Sequence, residues 1–279
     1  MRRAISRHQS LLLALFLLSI PAQALGVPQP YGLGVAVLLF LLSTVRPERV
    51  DREPLVVDPP VRGRWRALNS PGTKVPSHGV RLYGQTYAID VLQPGAPDPE
   101  GWGLDDPEAF PAFGEPVRAM AAGRVVRVVD GQADHRARRS LLAVLYLLIV
   151  EASARQVAGA HRVIGNHVVV DHGEGAFSLS GHLRRGSIAV AVGDLVDAGA
   201  VLGEVGNSGN SSEPHLHVQL MDRARAEQAA GLPFRWRGWE PVPGDAEAAP
   251  AQDRAVDGVP RTGEEFVVAA ATAGTDPRP

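Results

Sequence analysis

Six consecutive residues, His215-Leu216-His217-Val218-Gln219-Leu220, alternate polar and apolar side chains without a break. A β-strand sends successive side chains to opposite faces. The segment therefore reads as a strand with His215, His217 and Gln219 on one face and Leu216, Val218 and Leu220 on the other. Two imidazoles on one face can share a metal ion; two such histidines can equally lie exposed on a sheet. Much of the chain has the same grain. Short apolar runs bounded by Gly, Pro and Asp recur at residues 87–92, 117–120, 124–129, 167–171, 187–192, 201–205 and 215–220. That spacing predicts a mainly β region over 62–243: a sheet, sandwich or barrel.

Outside this region the sequence changes character. Residues 10–25 and 33–45 are two uncharged apolar runs separated by a Pro/Gly-rich break, each a little shorter than the ~20 residues of a typical span. Two readings fit the segment 1–47. One is a signal peptide, with Arg2, Arg3 and Arg7 as its basic region and Ala22-Gln23-Ala24 as a cleavage site. The other is a retained membrane hairpin of two apolar helices, which the second run favours. Arginines flank both ends of the pair (Arg2, Arg3 and Arg7, then Arg46, Arg49 and Arg52), so the positive-inside rule alone assigns both ends to the same side. Residues 48–61 are charged and proline-bearing and read as a linker. Residues 244–279 are rich in Ala, Pro, Asp and Glu and read as a mostly disordered tail in which 264–268 offers one late strand. An insert at 130–164 interrupts the β pattern with good helix formers. Its centre, 141–150, is apolar on every side. A run this short reads as a helix packed on the sheet, with a helix dipping into a membrane as the alternative, its leading Arg136, Arg138 and Arg139 suited to anionic headgroups.

Composition removes several classes of function. There is no cysteine, so disulfides and thiolate metal sites are excluded and any metal must be held by His, Asp or Glu. The formal net charge is -2, which argues against a nucleic-acid partner. Lysine occurs once, and the preference for arginine beside much Ala, Gly and Pro suits a GC-rich bacterial source.

The histidine pair has an ordered context. It follows the tight loop Gly203-Glu204-Val205-Gly206-Asn207-Ser208-Gly209-Asn210-Ser211-Ser212-Glu213-Pro214. Before that come Ser180-Gly181-His182-Leu183, Gly165-Asn166-His167-Val168, Gly114-Glu115-Pro116-Val117 and, first in the series, Tyr87-Ala88-Ile89-Asp90-Val91. This set, over roughly residues 75–221, resembles the lysostaphin/LytM-type metallopeptidases. The resemblance implies a twisted antiparallel sheet or β-sandwich of the duplicated hybrid motif type, carrying one Zn2+ at the floor of a groove. It implies hydrolysis of peptide cross-links in peptidoglycan by a metalloendopeptidase working outside the cytoplasm. In that family the metal ligands are a His, an Asp and the second His of His-x-His, which carry over to Asp90 and His217; the catalytic histidines carry over to His182 and His215. The sequence departs from the pattern at the first ligand, whose usual position four residues before the aspartate is Thr86. The nearest upstream histidine is His78, 12 residues before Asp90, or ~40 Å along an extended chain. Its assignment as the third ligand requires the chain to fold back, with Gly79 and Gly84 available for the turn. Two histidines and a carboxylate would leave one position open, the arrangement of catalytic zinc.

The remaining histidines (His8, His135, His161, His167 and His172) are expected to be structural. Three other readings bear on the same residues. A degenerate domain of the same fold, binding wall or regulating another hydrolase, is motivated by Thr86. A phosphocarrier using two close histidines would have no need of Asp90. A cupin-like metal enzyme should show a Glu shortly after His-x-His and a later His, and no histidine follows His217.

Overall fold

The computed structural model describes residues 1–26, 28, 30–98, 103–243 and 248–269. Its centre is a ten-stranded sheet. Nine of its strands are β1 (Gly63–Leu68), β2 (Ile89–Leu92), β3 (Gly123–Val129), β4 (Asn166–Asp171), β5 (Phe177–Leu183), β6 (Leu195–Val196), β7 (Leu216–Met221), β8 (Trp239–Pro241) and β9 (Glu265–Val268). They lie in the order β6-β3-β4-β5-β7-β2-β1-β9-β8, every neighbour antiparallel, and the short strand Gly231–Leu232 pairs with β7. The chain is mainly β, as the alternation requires.

Alternation along the central strands sorts the side chains. Leu216, Val218 and Leu220 of β7 join Ile89 and Val91 of β2 and Trp65 and Ala67 of β1 in one hydrophobic core, all essentially free of solvent. Burying a side chain of this size stabilises the fold by ~1.5–3 kcal/mol each, before conformational entropy is subtracted. The opposite face of the same strands carries Asp90 and His217, which stand directly across from each other in the β2–β7 pairing.

The structure departs from several expectations. Residues 187–192 form an irregular segment instead of a strand, although Ala189 N–H still donates to Leu202 O at 3.0 Å. Among the longer strands of the sheet, β1 and β5 lie outside the expected runs: the first carries three charged or glycine positions, the second Ser and Gly, which give no apolar run. The expected linker 48–61 holds a strand, Leu55–Val57, paired in parallel with Phe234–Trp236. The expected tail is ordered over 248–269: Val256 and Val259 are buried and β9 pairs with β1, where Glu265 accepts from Arg64 and Arg66 at 2.6 Å each. Its polar composition hid two buried valines and a strand.

Three apolar helices stand at the side of this sheet. Helix α1 (Gln9–Ala24) packs against α2 (Tyr31–Ser43), with the Phe16 and Phe40 rings 5.3 Å apart. Their base is tied to the β domain by Arg3, which donates to both carboxylate oxygens of Asp222 at 3.1 and 2.6 Å. Helix α3 (Leu141–Ala158), with one π-helical turn at Leu147–Glu151, belongs to the insert and packs its last turns on α1. Ser140 caps it by accepting from Ala143 N–H at 3.2 Å. The expected burial of this helix on the sheet fails: within Leu141–Ala158 Leu147 alone is buried, because the sheet's core is already filled from its other face.

Candidate metal centre

The 20 residues between β1 and β2 leave the sheet and return, and their path decides what faces Asp90. Ser77 N–H donates to Thr86 O at 3.1 Å, which pins the excursion back on itself. The turn before β2 has left-handed backbone at Tyr83 (φ 56°) and Gly84 (φ 76°). A side chain at Gly84 would meet Gln219 Nε2 at 3.1 Å, so glycine serves both the turn and the close approach of β7. The fold-back brings His78 Nε2 to 2.9 Å from Asp90 Oδ2, while His217 Nδ1 lies 2.8 Å from Asp90 Oδ1. One ligand atom from each of His78, Asp90 and His217 falls within 4.8 Å of the other two.

The neighbouring hydrogen bonds fix which nitrogen of each ring faces inward. Gln219 Nε2 donates to Tyr83 O at 2.8 Å, so its Oε1 is turned to accept from His217 Nε2 at 3.0 Å. Ser77 Oγ donates to Gln85 O at 3.4 Å and accepts from His78 Nδ1 at 3.1 Å. With their outer N–H groups engaged, the inner nitrogens of neutral His78 and His217 are lone pairs aimed at a buried carboxylate. Such an arrangement repels unless a positive charge sits among the three groups. Asn69 Nδ2 donates to Asp90 Oδ2 at 2.9 Å and orients the carboxylate. Two nitrogen donors, one oxygen donor and outer partners on each fit a zinc ion in kind and number.

Electrostatics agree with this geometry. Burial works against the charged form of Asp90, but His78, His215 and the hydrogen bond from His217 outweigh it and hold the carboxyl well below the usual range. Burial likewise opposes protonation of His217, and the Asp90 contact overcomes it and raises the imidazole.

His182 and His215 flank the cluster. His215 Nδ1 donates to Glu213 O at 2.8 Å, with Ser211 Oγ at 3.0 Å, and its Nε2 lies 3.8 Å from Asp90 Oδ1. His182 Nδ1 donates to Ser208 O at 2.8 Å. The His182 and His215 rings are 4.8 Å apart, centre to centre. Burial and the neighbouring imidazoles of His215 and His217 hold His182 well below the ordinary histidine range, hence neutral. With its Nδ1–H on Ser208 O, His182 thus carries a bare Nε2. His182 reaches this place by an irregularity. Gly181, not His182, is the residue paired with His217 across β5–β7. In a regular strand His182 would point to the core face. It has left-handed backbone (φ 59°), and the β4–β5 register shifts between Asn166 and Val168, a bulge that re-aims the ring. The four histidines and Asp90 line a cleft of about 490 Å³, whose other wall includes Val144 and Leu147 of α3.

The structure brings all five residues singled out in the sequence together. The supporting residues Asn69, Ser77, Ser211 and Gln219 went unassigned; only Gln219 gave a signal, as the third polar residue on the histidine face of β7.

Thr86, at the position of the usual ligand, lines a different, small cavity with Arg81 and Ala230. Three of the other histidines make ordinary structural bonds: His135 Nε2 to Gly209 O at 2.7 Å, His172 Nδ1 to Ala122 O at 2.8 Å and His167 Nδ1 to Gly165 O at 2.8 Å.

His167 yields a pH prediction. Burial lowers its pKa from 6.5 to about 4. An unfolded chain binds that proton first, so stability is intact above about pH 6.5 and declines as pH falls towards 4, by about 3 kcal/mol in all. The urea midpoint of the detergent-solubilised chain is expected to drop over this interval. His167→Gln should remove most of the slope, and an unchanged slope would show that other groups cause it.

Residues 149–229 match the model for peptidase family M23, a span that includes His182, His215 and His217. Over this span the chain is similar to the M23 peptidases. Over 76 residues the chain is 38% identical to the peptidoglycan DD-endopeptidase ShyA of Vibrio cholerae, covering 26% of this chain and 17% of that protein. An uncharacterized protein of Haemophilus influenzae is 30% identical over 126 residues, 45% of this chain and 21% of the other. The chain thus spans about a fifth of the length of these curated relatives. Among solved structures, the catalytic domain of lysostaphin from Staphylococcus simulans aligns over 55% of this chain and 80% of its own, at 20% identity and a TM-score of 0.31.

Proposed function

We propose that the M23 domain is a zinc-dependent metalloendopeptidase that hydrolyses peptide cross-links of bacterial peptidoglycan. The observation that carries this reading is the convergence of His78, Asp90 and His217, with His182 and His215 beside them, each ring turned by its outer hydrogen bond to present one bare nitrogen. His78, Asp90 and His217 would hold the metal. When bound, zinc supplies Lewis-acid chemistry, acidifying water and polarising an amide carbonyl. His215 and His182 keep their Nδ1–H groups on backbone carbonyls. Each therefore has an Nε2 able to take up a proton, and once protonated to donate one to a leaving amine or a developing oxyanion. The cleft limits solvent around these groups, which strengthens every charge interaction in it. The similarity to a peptidoglycan endopeptidase supports the choice of substrate. The apolar α1–α2 hairpin would hold the enzyme at a membrane with the M23 domain on the extracytoplasmic side.

A second reading, a metal-free wall-binding or regulatory module, is favoured by Thr86 alone. One experiment separates the two. Full-length chain in detergent is incubated with purified cross-linked peptidoglycan, and released fragments are followed by mass spectrometry. New peptide termini are expected with zinc, none after chelation, and recovery on adding zinc back. Stoichiometric zinc without any cleaved peptide bond would overturn the hydrolase reading.

A further inference from the structure

Helix α3 is inverted relative to a helix on a water-washed domain. An amphipathic surface helix turns its polar stripe to solvent and its apolar stripe to the core. Here the charged residues face the protein: Glu151 pairs with Arg138 at 2.7 Å and with Arg155 at 3.0 Å, each carboxylate and guanidinium at most 20% exposed. The outward residues are Leu141, Leu142, Leu145, Ile149 and Val150, 42–74% exposed. An apolar face of this extent marks a contact surface.

Its setting identifies the occupant. α1 lies against the C-terminal turns of α3 and α2 lies against α1, and their outward residues, among them Leu18, Leu38 and Leu41, are equally bare. No Asp, Glu, Lys or Arg occurs between residues 8 and 45. Protein interfaces carry a polar rim around an apolar centre; this surface is apolar along three neighbouring helices. Arginines stand at its ends: Arg7 before α1, Arg46 and Arg49 after α2, Arg136 and Arg139 before α3. That is the pattern of a surface met by acyl chains with anionic headgroups at its margin. α3 has 18 residues, ~27 Å of helix against a hydrocarbon core of ~30 Å.

We propose that α3 is a third lipid-embedded helix beside α1 and α2, and that it holds the histidine cleft at the bilayer boundary. The outer face of α3 meets lipid while Val144 and Leu147 on its inner side wall the cleft. The substrates reached in this way are peptides displayed close to a membrane surface. The inference builds on the hairpin anchor, and its test reads the two separately.

The chain has no cysteine, so a single introduced one takes a fluorophore uniquely. Ile149→Cys and Leu145→Cys report on α3, Leu38→Cys on the hairpin and Val192→Cys on an exposed turn of the β domain. Each labelled full-length chain is reconstituted in vesicles of phosphatidylethanolamine and phosphatidylglycerol and challenged with acyl-chain nitroxides or aqueous iodide. The labels at 149 and 145 are expected to lose most of their emission to the nitroxide and little to iodide, with the reverse at 192. Iodide quenching at 149 and 145 overturns the proposal, as does shielding from both quenchers, which would mean a protein partner or second copy covers the face. Iodide quenching at 38 alone overturns the hairpin anchor and leaves α3 in lipid.

Discussion

Replacing His217 with alanine is expected to remove bound zinc and hydrolytic activity together, whereas His215→Ala should keep the metal and lower turnover by ~10²–10⁴-fold. The contrast follows from two residues on one face of β7. His217 stands opposite Asp90 with its Nδ1 2.8 Å from the carboxylate. Its loss deletes a donor and leaves Asp90, a buried anion, short of a partner. Asp90→Ala should have the same double effect. His215 lies a further ångström from that carboxylate, at 3.8 Å, and its Nδ1 is held by Glu213 O, so its removal leaves His78, Asp90 and His217 in place. Gln219→Ala should fall between them. It frees the outer N–H of His217 and should weaken metal binding 10–100-fold, in the range of lost outer partners of a ligand. Metal content by mass spectrometry, measured beside the rate on cross-linked wall, decides the matter. Full turnover in His215→Ala would remove that residue from the chemistry.

How much of this was legible in the sequence depended on range. β7 could be read outright, because strict alternation over six residues fixes both of its faces. Asp90 lay between Ile89 and Val91, and the same period sent it away from the core. His182 was harder: its motif marked it, but alternation assigns it to the wrong face, and only the bulge at the end of β5 turns it into the cleft. That bulge depends on pairing with β4, which no local pattern encodes. α3 was legible as a helix but not in its orientation. A run that is apolar on every side has no preferred inner face. Glu151, the residue that sets the orientation, takes its partner Arg138 from outside the helix. Residues 187–192 misled for the opposite reason, since apolar residues near a sheet need not pair within it.

His78 is the least local assignment, and it gives the second large effect. His78→Ala is expected to lower metal affinity by more than the ~100-fold that loss of an outer partner costs, because it removes a donor itself. Installing histidine at the position used by relatives of the lysostaphin type should not rescue it. Thr86 is buried, 7% exposed, and lines the small cavity with Arg81 and Ala230, not the cleft. A Cβ placed on Gly231 would already lie 3.0 Å from Thr86 Cβ, so a larger ring at 86 has little room without moving the neighbouring backbone. The carbonyl of Thr86 also holds Ser77 N–H, the bond that folds the excursion back over Asp90. The paired variant His78→Ala/Thr86→His is therefore expected to bind no more zinc than His78→Ala and to be less stable than the parent. On the proposed reading His78, on the loop clamped by Ser77 and Gln85, takes the place of a ligand at position 86. Parental zinc stoichiometry in the double variant would show that position 86 can still reach the metal and that His78 is dispensable.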